Sequence, residues 1–403
     1  MKECVVIDLG GSKTVALAAK SSGDGKLDIT GMIRVDSRGM KKGGIVDLDG
    51  VARTVDTALR HLANDLGRES IDNAVVIISG AQVEGVTVQG FKPIIPKNRT
   101  ITSQDVMEVV NHSKAGFLPS ERLQVQTVPR GFRVDDGKMI MDPVGLPGSK
   151  LEVNSYLITG QGAHVQLFER ALTLNHRKVD QFIFGPLASG LGILTADEIT
   201  MGAICIDIGA TKTDLAIFAG GSLAFACSIP AGGDNVTSDL SQLLNASLEE
   251  SERLKIQEGQ ALASPISDRD AIEVQQQGQP NPRPMQRRVL CEIIESRMRE
   301  IGRIAKVHVE KAGFLKSVPG GVVLTGGGAK LKGIEELFGQ IFPELPVRAA
   351  EPRLLGGKDA VGMAASLGAA QFILQANEDL STISGGESWQ DKVRGFWSII
   401  SGK

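Results

Sequence analysis

Short apolar runs alternate with glycine-bearing polar turns along this chain, and two of the runs follow one pattern. Val5-Val6-Ile7-Asp8-Leu9-Gly10-Gly11-Ser12-Lys13-Thr14 recurs as Ile204-Cys205-Ile206-Asp207-Ile208-Gly209-Ala210-Thr211-Lys212-Thr213. Apolar residues resume after each copy, as Val15-Ala16-Leu17 and Leu215-Ala216-Ile217-Phe218. A buried strand, a glycine turn and a returning strand predict a β-hairpin in both places. Copies separated by about half the chain predict two related α/β domains facing each other.

Other stretches carry weaker patterns. Val322-Val323-Leu324-Thr325 runs into Gly326-Gly327-Gly328 and predicts a buried strand, then a helix beginning near Lys330. Residues 247–255 read as helical, with Glu252 and Lys255 three apart on one face. Residues 264–285 are polar and proline-containing and read as a long exposed loop. From about Gln375 the chain turns polar with Gly and Ser, which reads as a linker over 375–387. A last helix is expected over 388–403, with Ser388 and Asp391 at capping-box spacing. On it Trp389, Val393, Phe396, Trp397 and Ile400 fall within an arc of about 100°. Lys392, Arg394 and Lys403 lie beside or opposite that arc. Such a stripe either docks on the protein's own core or lies in a membrane interface, and its terminal place behind a linker favours the interface.

Composition narrows the function classes. At 403 residues the chain is long enough for two or three domains, and 42% apolar with 23% charged residues is ordinary for a folded protein. A net charge of −3 argues against a broad nucleic-acid surface. The four cysteines have no CxxC spacing, which argues against zinc and a disulfide framework. Asp8 interrupts the only apolar stretch near the N-terminus, no window is apolar enough to span a bilayer, and a cytoplasmic location is expected.

The repeated turn suggests phosphate binding. Glycine lets backbone N–H groups approach an anion, and Ser12, Thr211, Lys13 and Lys212 add donors and positive charge. An Asp at the end of each strand repels phosphate but can hold Mg²⁺ through water. Two tight hairpins with solvated charges are the plainer alternative, and the recurrence of the motif favours phosphate. Gly326 to Gly328 between strand and helix would present bare backbone to a nucleotide. No Gly-x-x-x-x-Gly-Lys-Ser/Thr loop is present. Glu252 and Lys255 either flank an adenosine or form an exposed ion pair.

The paired Asp-x-Gly loops followed by Leu324-Thr325-Gly326-Gly327-Gly328-Ala329 resemble the actin/Hsp70/sugar-kinase ATPase superfamily. Within it the chain resembles the FtsA family of bacterial division proteins. That likeness also rests on the Gly39–Asp47 run, on Ile78-Ser79-Gly80, on the Asp142–Val153 run and on Glu295–Ile301. It implies an α/β, actin-like ATPase fold with two duplicated lobes around a nucleotide cleft, an inserted subdomain of the family's own type and a C-terminal amphipathic helix. The implied segments are 1–80 and 160–198 for the first lobe, 81–159 for the insertion, and 199–229 and 303–374 for the second lobe. Segment 230–302 would be the second lobe's smaller subdomain.

By resemblance ATP is expected on Gly10, Gly11, Ser12, Lys13, Gly209, Ala210, Thr211, Lys212, Thr213, Gly232, Gly233, Glu252, Lys255, Gly326, Gly327 and Gly328. Asp8 and Asp207 would organise Mg²⁺. Glu198 is a candidate to position Mg²⁺ or the attacking water, or is a surface carboxylate. The implied function is to bind ATP, with at most slow hydrolysis, and to polymerise at the septum. There the protein would tether FtsZ on the cytoplasmic face of the inner membrane. The implied partners are the FtsZ C-terminal tail near Arg297 and Arg299, further copies of the chain, anionic lipids under the last helix and other division proteins. Two alternatives are a pilus-assembly actin homologue of the PilM type and, further off, a sugar kinase.

Overall fold

The computed structural model describes residues 3–21, 27–114, 118–352, 360 and 362–378. Two five-stranded sheets dominate it. The first runs Lys178–Phe184, Asn73–Ile78, Glu3–Leu9, Lys13–Ser21, Leu27–Asp36. The second runs Ser222–Ile229, Thr213–Ala219, Ala203–Ile208, Val322–Thr325, Val347–Ala349. In each, three consecutive strands form an antiparallel meander, and two later strands add in parallel beside the first. The sequence repeat is therefore a repeat of topology.

Parallel strands need crossover connections, and helices supply them. In the first lobe α1 (Leu48–Asp65) begins where the Asp47 side chain accepts from the Gly50 N–H. The inserted subdomain follows Asn73–Ile78. In it α2 (Ser103–Lys114) packs on an antiparallel sheet ordered Met139–Ile140, Arg122–Val134, Lys150–Gln161, Val83–Pro93. The chain returns through α3 (Gly162–Thr173) and α4 (Gly185–Ile193), and α5 (Ala196–Met201) leads into the second lobe. That lobe carries α6 (Gly233–Leu244), α7 (Leu248–Gln257), α8 (Arg287–Lys311) and α9 (Ile334–Ile341). The last described helix, α10 (Ala364–Glu378), packs back on α4 and the first sheet.

Burial follows the period of two expected of a strand covered on both faces. From strand Glu3–Leu9, Val5 and Ile7 join Val51, Val55 and Leu59 of α1 in one core. Cys4 and Val6 join Met363, Leu367 and Leu374 near α10 in another. The first of these cores continues through Leu187 and Leu191 of α4 to Cys205, Ala216 and Phe218, so the lobes share buried apolar surface. Cys4 and Cys205 are buried thiols inside these cores, as their apolar surroundings predict.

Three expectations are corrected. The chain after Gly326 forms a 3-10 turn over Gly327–Lys330, and α9 starts only at Ile334, because Gly333 takes a left-handed conformation between them. Residues 264–285 hold an antiparallel pair, Ala271–Val274 with Arg283–Gln286, whose Ile272 and Val274 side chains are buried. α8 spans residue 302 without a break. α10 extends to Glu378, past the expected linker start, since no Gly or Pro interrupts residues 369–378. Trp389, Val393, Phe396, Trp397 and Ile400 lie outside the described residues, as does the linker beyond 378.

Candidate functional site

Register places the two repeated turns identically. Leu9 pairs with Thr14 in the first hairpin and Ile208 with Thr213 in the second, leaving Gly10–Lys13 and Gly209–Lys212 as the turns. The closing threonines are fully buried and tie each turn to the end of its own third strand. Thr14 Oγ1 is 2.7 Å from Ser37 Oγ, and Thr213 Oγ1 donates to the Ala231 carbonyl at 2.8 Å. Thr213, expected on the nucleotide, is thus a strut of the loop. The turns abut: a Cβ on Gly11 would collide with the side chain of Thr211. Glycine is needed there because no side chain fits between the loops.

Three further segments close around the second turn. The Gly233 N–H donates to the Gly209 carbonyl at 2.9 Å and the Asp234 N–H to the Ala210 carbonyl at 2.8 Å. A Cβ on Gly232 would lie 2.5 Å from one of those oxygens and 2.6 Å from the other. Gly232 and Gly233 therefore fasten α6 to the turn, and the Gly233 N–H is already engaged. Lys255 Nζ donates to the Gly233 carbonyl at 3.2 Å, to Thr237 Oγ1 at 2.9 Å and to Glu252 at 2.6 Å. Gly326 and Gly328 pack against Asp207 and Ile208 through parallel pairing of Asp207 with Thr325. Gly327 faces open space. The segments expected to surround a nucleotide in the second lobe are thus brought together.

The charged groups separate the two turns. Lys13 is about half exposed and pairs with Asp36 at the surface, away from the role expected of it. Lys212 turns inward, 20% exposed, and pairs with Asp214, itself 4% exposed. Burial works against the Lys212 ammonium, but Asp214, Asp207 and Asp8 outweigh it and raise its pKa. Burial pushes the Asp8 carboxyl up to about 7; Lys212 opposes the shift, while Asp207 and Asp214 add to it. Burial also raises Asp207, against a 2.6 Å hydrogen bond from Ser189 Oγ and the charge of Lys212. One cation among three carboxylates, beside glycine-lined turns, can accept a polyphosphate in exchange for a carboxylate partner.

The chemistry of the donors also bears on Mg²⁺. Among the described residues no three His, Cys, Asp or Glu side chains come together as a metal site. Asp8 and Asp207 fit Mg²⁺ only as outer partners of an ion whose remaining ligands are phosphate and water. Glu198 departs from its candidate role. Its Oε2 caps α5 by accepting from the Thr195 N–H at 2.8 Å, and its Oε1 pairs with Arg348 at 2.6 Å. Arg297 and Arg299 lie on α8, three-quarters buried. Arg297 pairs with Asp239 and Glu300, and Arg299 with Glu295 and Gln340. Asp214, Ser189 and Ser228 belong to the charge centre without having been singled out. Asp214 had a signal: it follows Thr213 where the first copy has Val15.

A family model described as "Cell division protein FtsA" matches residues 204–368, and one described as "SHS2 domain inserted in FTSA" matches residues 80–159. Curated relatives carry the same name. The cell division protein FtsA of Neisseria meningitidis serogroup B is 32% identical over 356 residues, 87% of this chain and 84% of the relative. That of Escherichia coli (strain K12) is 30% identical over 363 residues, covering 88% and 86%. That of Bacillus subtilis (strain 168) is 32% identical over 355 residues, covering 88% and 80%. Among solved structures, a PilM–PilN type IV pilus biogenesis complex aligns with a TM-score of 0.64 at 15% identity, over 92% of this chain and 98% of that one. MreB5 of Spiroplasma citri bound to ADP aligns with 0.55 at 13%, over 95% and 99%. The architecture is the actin-like ATPase fold with an inserted SHS2 domain.

Proposed function

Since this chain belongs to the FtsA family of cell division proteins, we propose that it is an ATP-binding, actin-like adaptor. It would assemble on the cytoplasmic face of the inner membrane and tether FtsZ filaments there at the septum. The observation that carries the nucleotide half of this reading is the pair of abutting turns with Lys212 held among Asp214, Asp207 and Asp8. A polyphosphate supplies the negative charge that Lys212 and the backbone N–H groups of Gly10–Lys13 and Ala210–Lys212 can hold; the Gly209 N–H is engaged with the Lys212 carbonyl. Gly326–Gly328, Glu252 and Lys255 form the wall on which adenosine would rest. Mg²⁺ bound with the nucleotide would neutralise phosphate charge beside Asp8 and Asp207. Turnover would be slow at most, because Glu198 is committed to its cap and to Arg348.

The membrane half rests on the sequence of residues 388–403, whose Trp389, Phe396, Trp397 and Ile400 suit a lipid interface beside Lys392 and Arg394. Among the described residues no helix is long and apolar enough to cross a membrane. One short helix binds reversibly, and polymerisation with further copies would strengthen attachment by avidity. An acidic FtsZ tail would meet Arg297 and Arg299 on α8 by exchanging with Asp239, Glu300 and Glu295. Other division proteins would be recruited to the same assembly. The likeness to PilM, at 15% identity, is one of fold and gives no ground for a pilus role.

Co-sedimentation with anionic vesicles tests the reading. The full chain is expected to pellet with lipid, to carry FtsZ with it, and to do so more strongly with Mg·ATP. Removal of residues 387–403 is expected to leave it in the supernatant. A full chain that ignores vesicles and FtsZ with or without nucleotide would overturn the adaptor role.

A further inference from the structure

The inserted subdomain departs from the first lobe at Gly80, and one hydroxyl group joins that point to the charge centre of the cleft. The Gly80 N–H donates to Ser228 Oγ at 3.0 Å, and Ser228 Oγ–H donates to Asp214 Oδ1 at 2.5 Å. Asp214 Oδ2 is the partner of Lys212. A serine has a single proton to give, so with Asp214 as acceptor its oxygen is left to accept from Gly80.

The surroundings leave this connection little slack. Gly80 sits at φ +111°, where a side chain is disfavoured. A Cβ on Gly43 would lie 2.8 Å from the Gly80 Cα and 3.1 Å from Lys212 Cδ, so the Gly43 turn is wedged between them. A Cβ on Gly185, at the start of α4, would lie 3.1 Å from the Ser79 side chain and 3.2 Å from Asp214 Oδ2. The carbonyl of Ser79 faces His164 Nε2 at 3.2 Å, and the Gly80 carbonyl accepts from the Val83 N–H at 3.0 Å. The backbone at the root of the insertion is thus held from both lobes.

We propose that the path Lys212–Asp214–Ser228–Gly80 reports occupancy of the cleft to the inserted subdomain, with Ser228 as the positioning residue; this rests on the reading of the cleft as a polyphosphate site. A polyphosphate draws the Lys212 ammonium away from Asp214. That carboxylate, too buried to be solvated by water, then depends on the Ser228 hydroxyl. Ser228 must follow Asp214, and the Gly80 N–H, which has Ser228 as its acceptor, must follow or lose its bond. The insertion therefore takes a different preferred orientation, or a different stiffness, in each state of the cleft.

The test uses the full-length chain with and without Mg·ATP. Calorimetry reads nucleotide affinity, and amide hydrogen exchange reads peptides covering residues 79–93 and 150–161. In the wild type, ATP is expected to change exchange at Gly80 and along Val83–Pro93 by more than about threefold. Ser228→Ala is expected to bind ATP more weakly, because Asp214 loses its remaining donor once Lys212 turns to the polyphosphate, and at saturating ATP to lose that change. Ser228→Thr, which keeps the hydroxyl, is expected to retain it and guards against a folding defect in the alanine variant. An ATP-dependent change of equal size in Ser228→Ala, or none in a wild type that binds ATP, overturns the proposal alone. A wild type that binds no nucleotide overturns the reading of the cleft, and the proposal with it.

Discussion

The first and second turns are built on the same hairpin, in the same register, with the same buried threonine, yet their lysines point to opposite environments. Opposite Asp8 across the first hairpin stands Val15; opposite Asp207 across the second stands Asp214. Val15 offers a lysine nothing, and Lys13 reaches outward to Asp36, which is exposed on the neighbouring strand. Asp214 offers a buried carboxylate, and Lys212 turns inward to it. One residue pair therefore sets which copy carries the charge centre. The duplicated fold supplies symmetric backbone, and a single position breaks the symmetry of its chemistry.

The largest expected effect comes from removing each lysine in turn. Lys212→Ala leaves Asp214 buried without its cation, with Asp207 and Asp8 close enough to feel its charge. Breaking a buried pair this way costs about 3–5 kcal/mol, and nucleotide binding should fall below detection. Lys13→Ala removes an exposed, solvent-screened pair that adds little to stability, and should change nucleotide affinity only a few-fold. Denaturant unfolding and nucleotide titration of both variants measure the contrast. Equal losses at the two lysines would show that the turns are functionally equivalent.

Next in size is the contact between the turns. Gly11→Ala sets a methyl group against Thr211, and relief requires the lobes to part or Thr211 to move. Overpacking of this kind costs roughly 1–3 kcal/mol, and nucleotide affinity should drop with it. Adding Thr211→Gly to Gly11→Ala restores the space, so the double variant should recover much of the lost stability. A double variant no better than the single one would mean that the two turns do not depend on each other.

The charge centre also predicts a pH dependence. With the Asp8 carboxyl at about 7 in the fold against 3.8 when unperturbed, the native state holds a proton that the unfolded chain gives up. Stability from this group is fully present below about pH 4 and falls as pH rises to about 7, by at most about 1.4 kcal/mol per pH unit. Asp8→Asn should remove that decline, so its stability advantage over wild type grows from pH 4 to pH 7 and then levels off. Thermal unfolding across that range measures it. A constant difference between the two proteins would place the Asp8 pKa near its ordinary value.

Much of this asymmetry could not be read from the chain. The repeated motif made both hairpins legible, because alternating burial and glycine turns are local properties. The motif also assigned both lysines the same role, since their neighbours within the turn match. The deciding partner, Asp214, lay one residue past the motif and appears only when the copies are compared beyond Thr14 and Thr213. Glu198 misled for a similar reason: its position before the second hairpin suggested the cleft, while Thr195-x-x-Glu198 had the spacing of a helix cap. The Ala271–Val274 strand was hidden because its two buried residues stand in a polar, proline-bearing stretch. Ser189 left no signal, since α4 brings it to Asp207 by tertiary packing alone.

The smallest effect should be the one that treats the copies alike. Thr14 and Thr213 are both fully buried, and each hydroxyl bonds the chain leaving its own third strand. Thr→Val at either position keeps the shape and removes one hydrogen bond. Such a change costs about 1 kcal/mol, and more if the partner is left dry. The partners differ: Ser37 Oγ can turn to water near the surface, while the Ala231 carbonyl cannot rotate. Thr213→Val should therefore be destabilised by the same amount as Thr14→Val or by slightly more, and neither should alter the charge centre. The nucleotide affinities of both variants, corrected for any loss of folded protein, should stay within a few-fold of wild type. A loss of binding confined to Thr213→Val would return that hydroxyl to the nucleotide and extend the asymmetry from the lysine to the whole second turn.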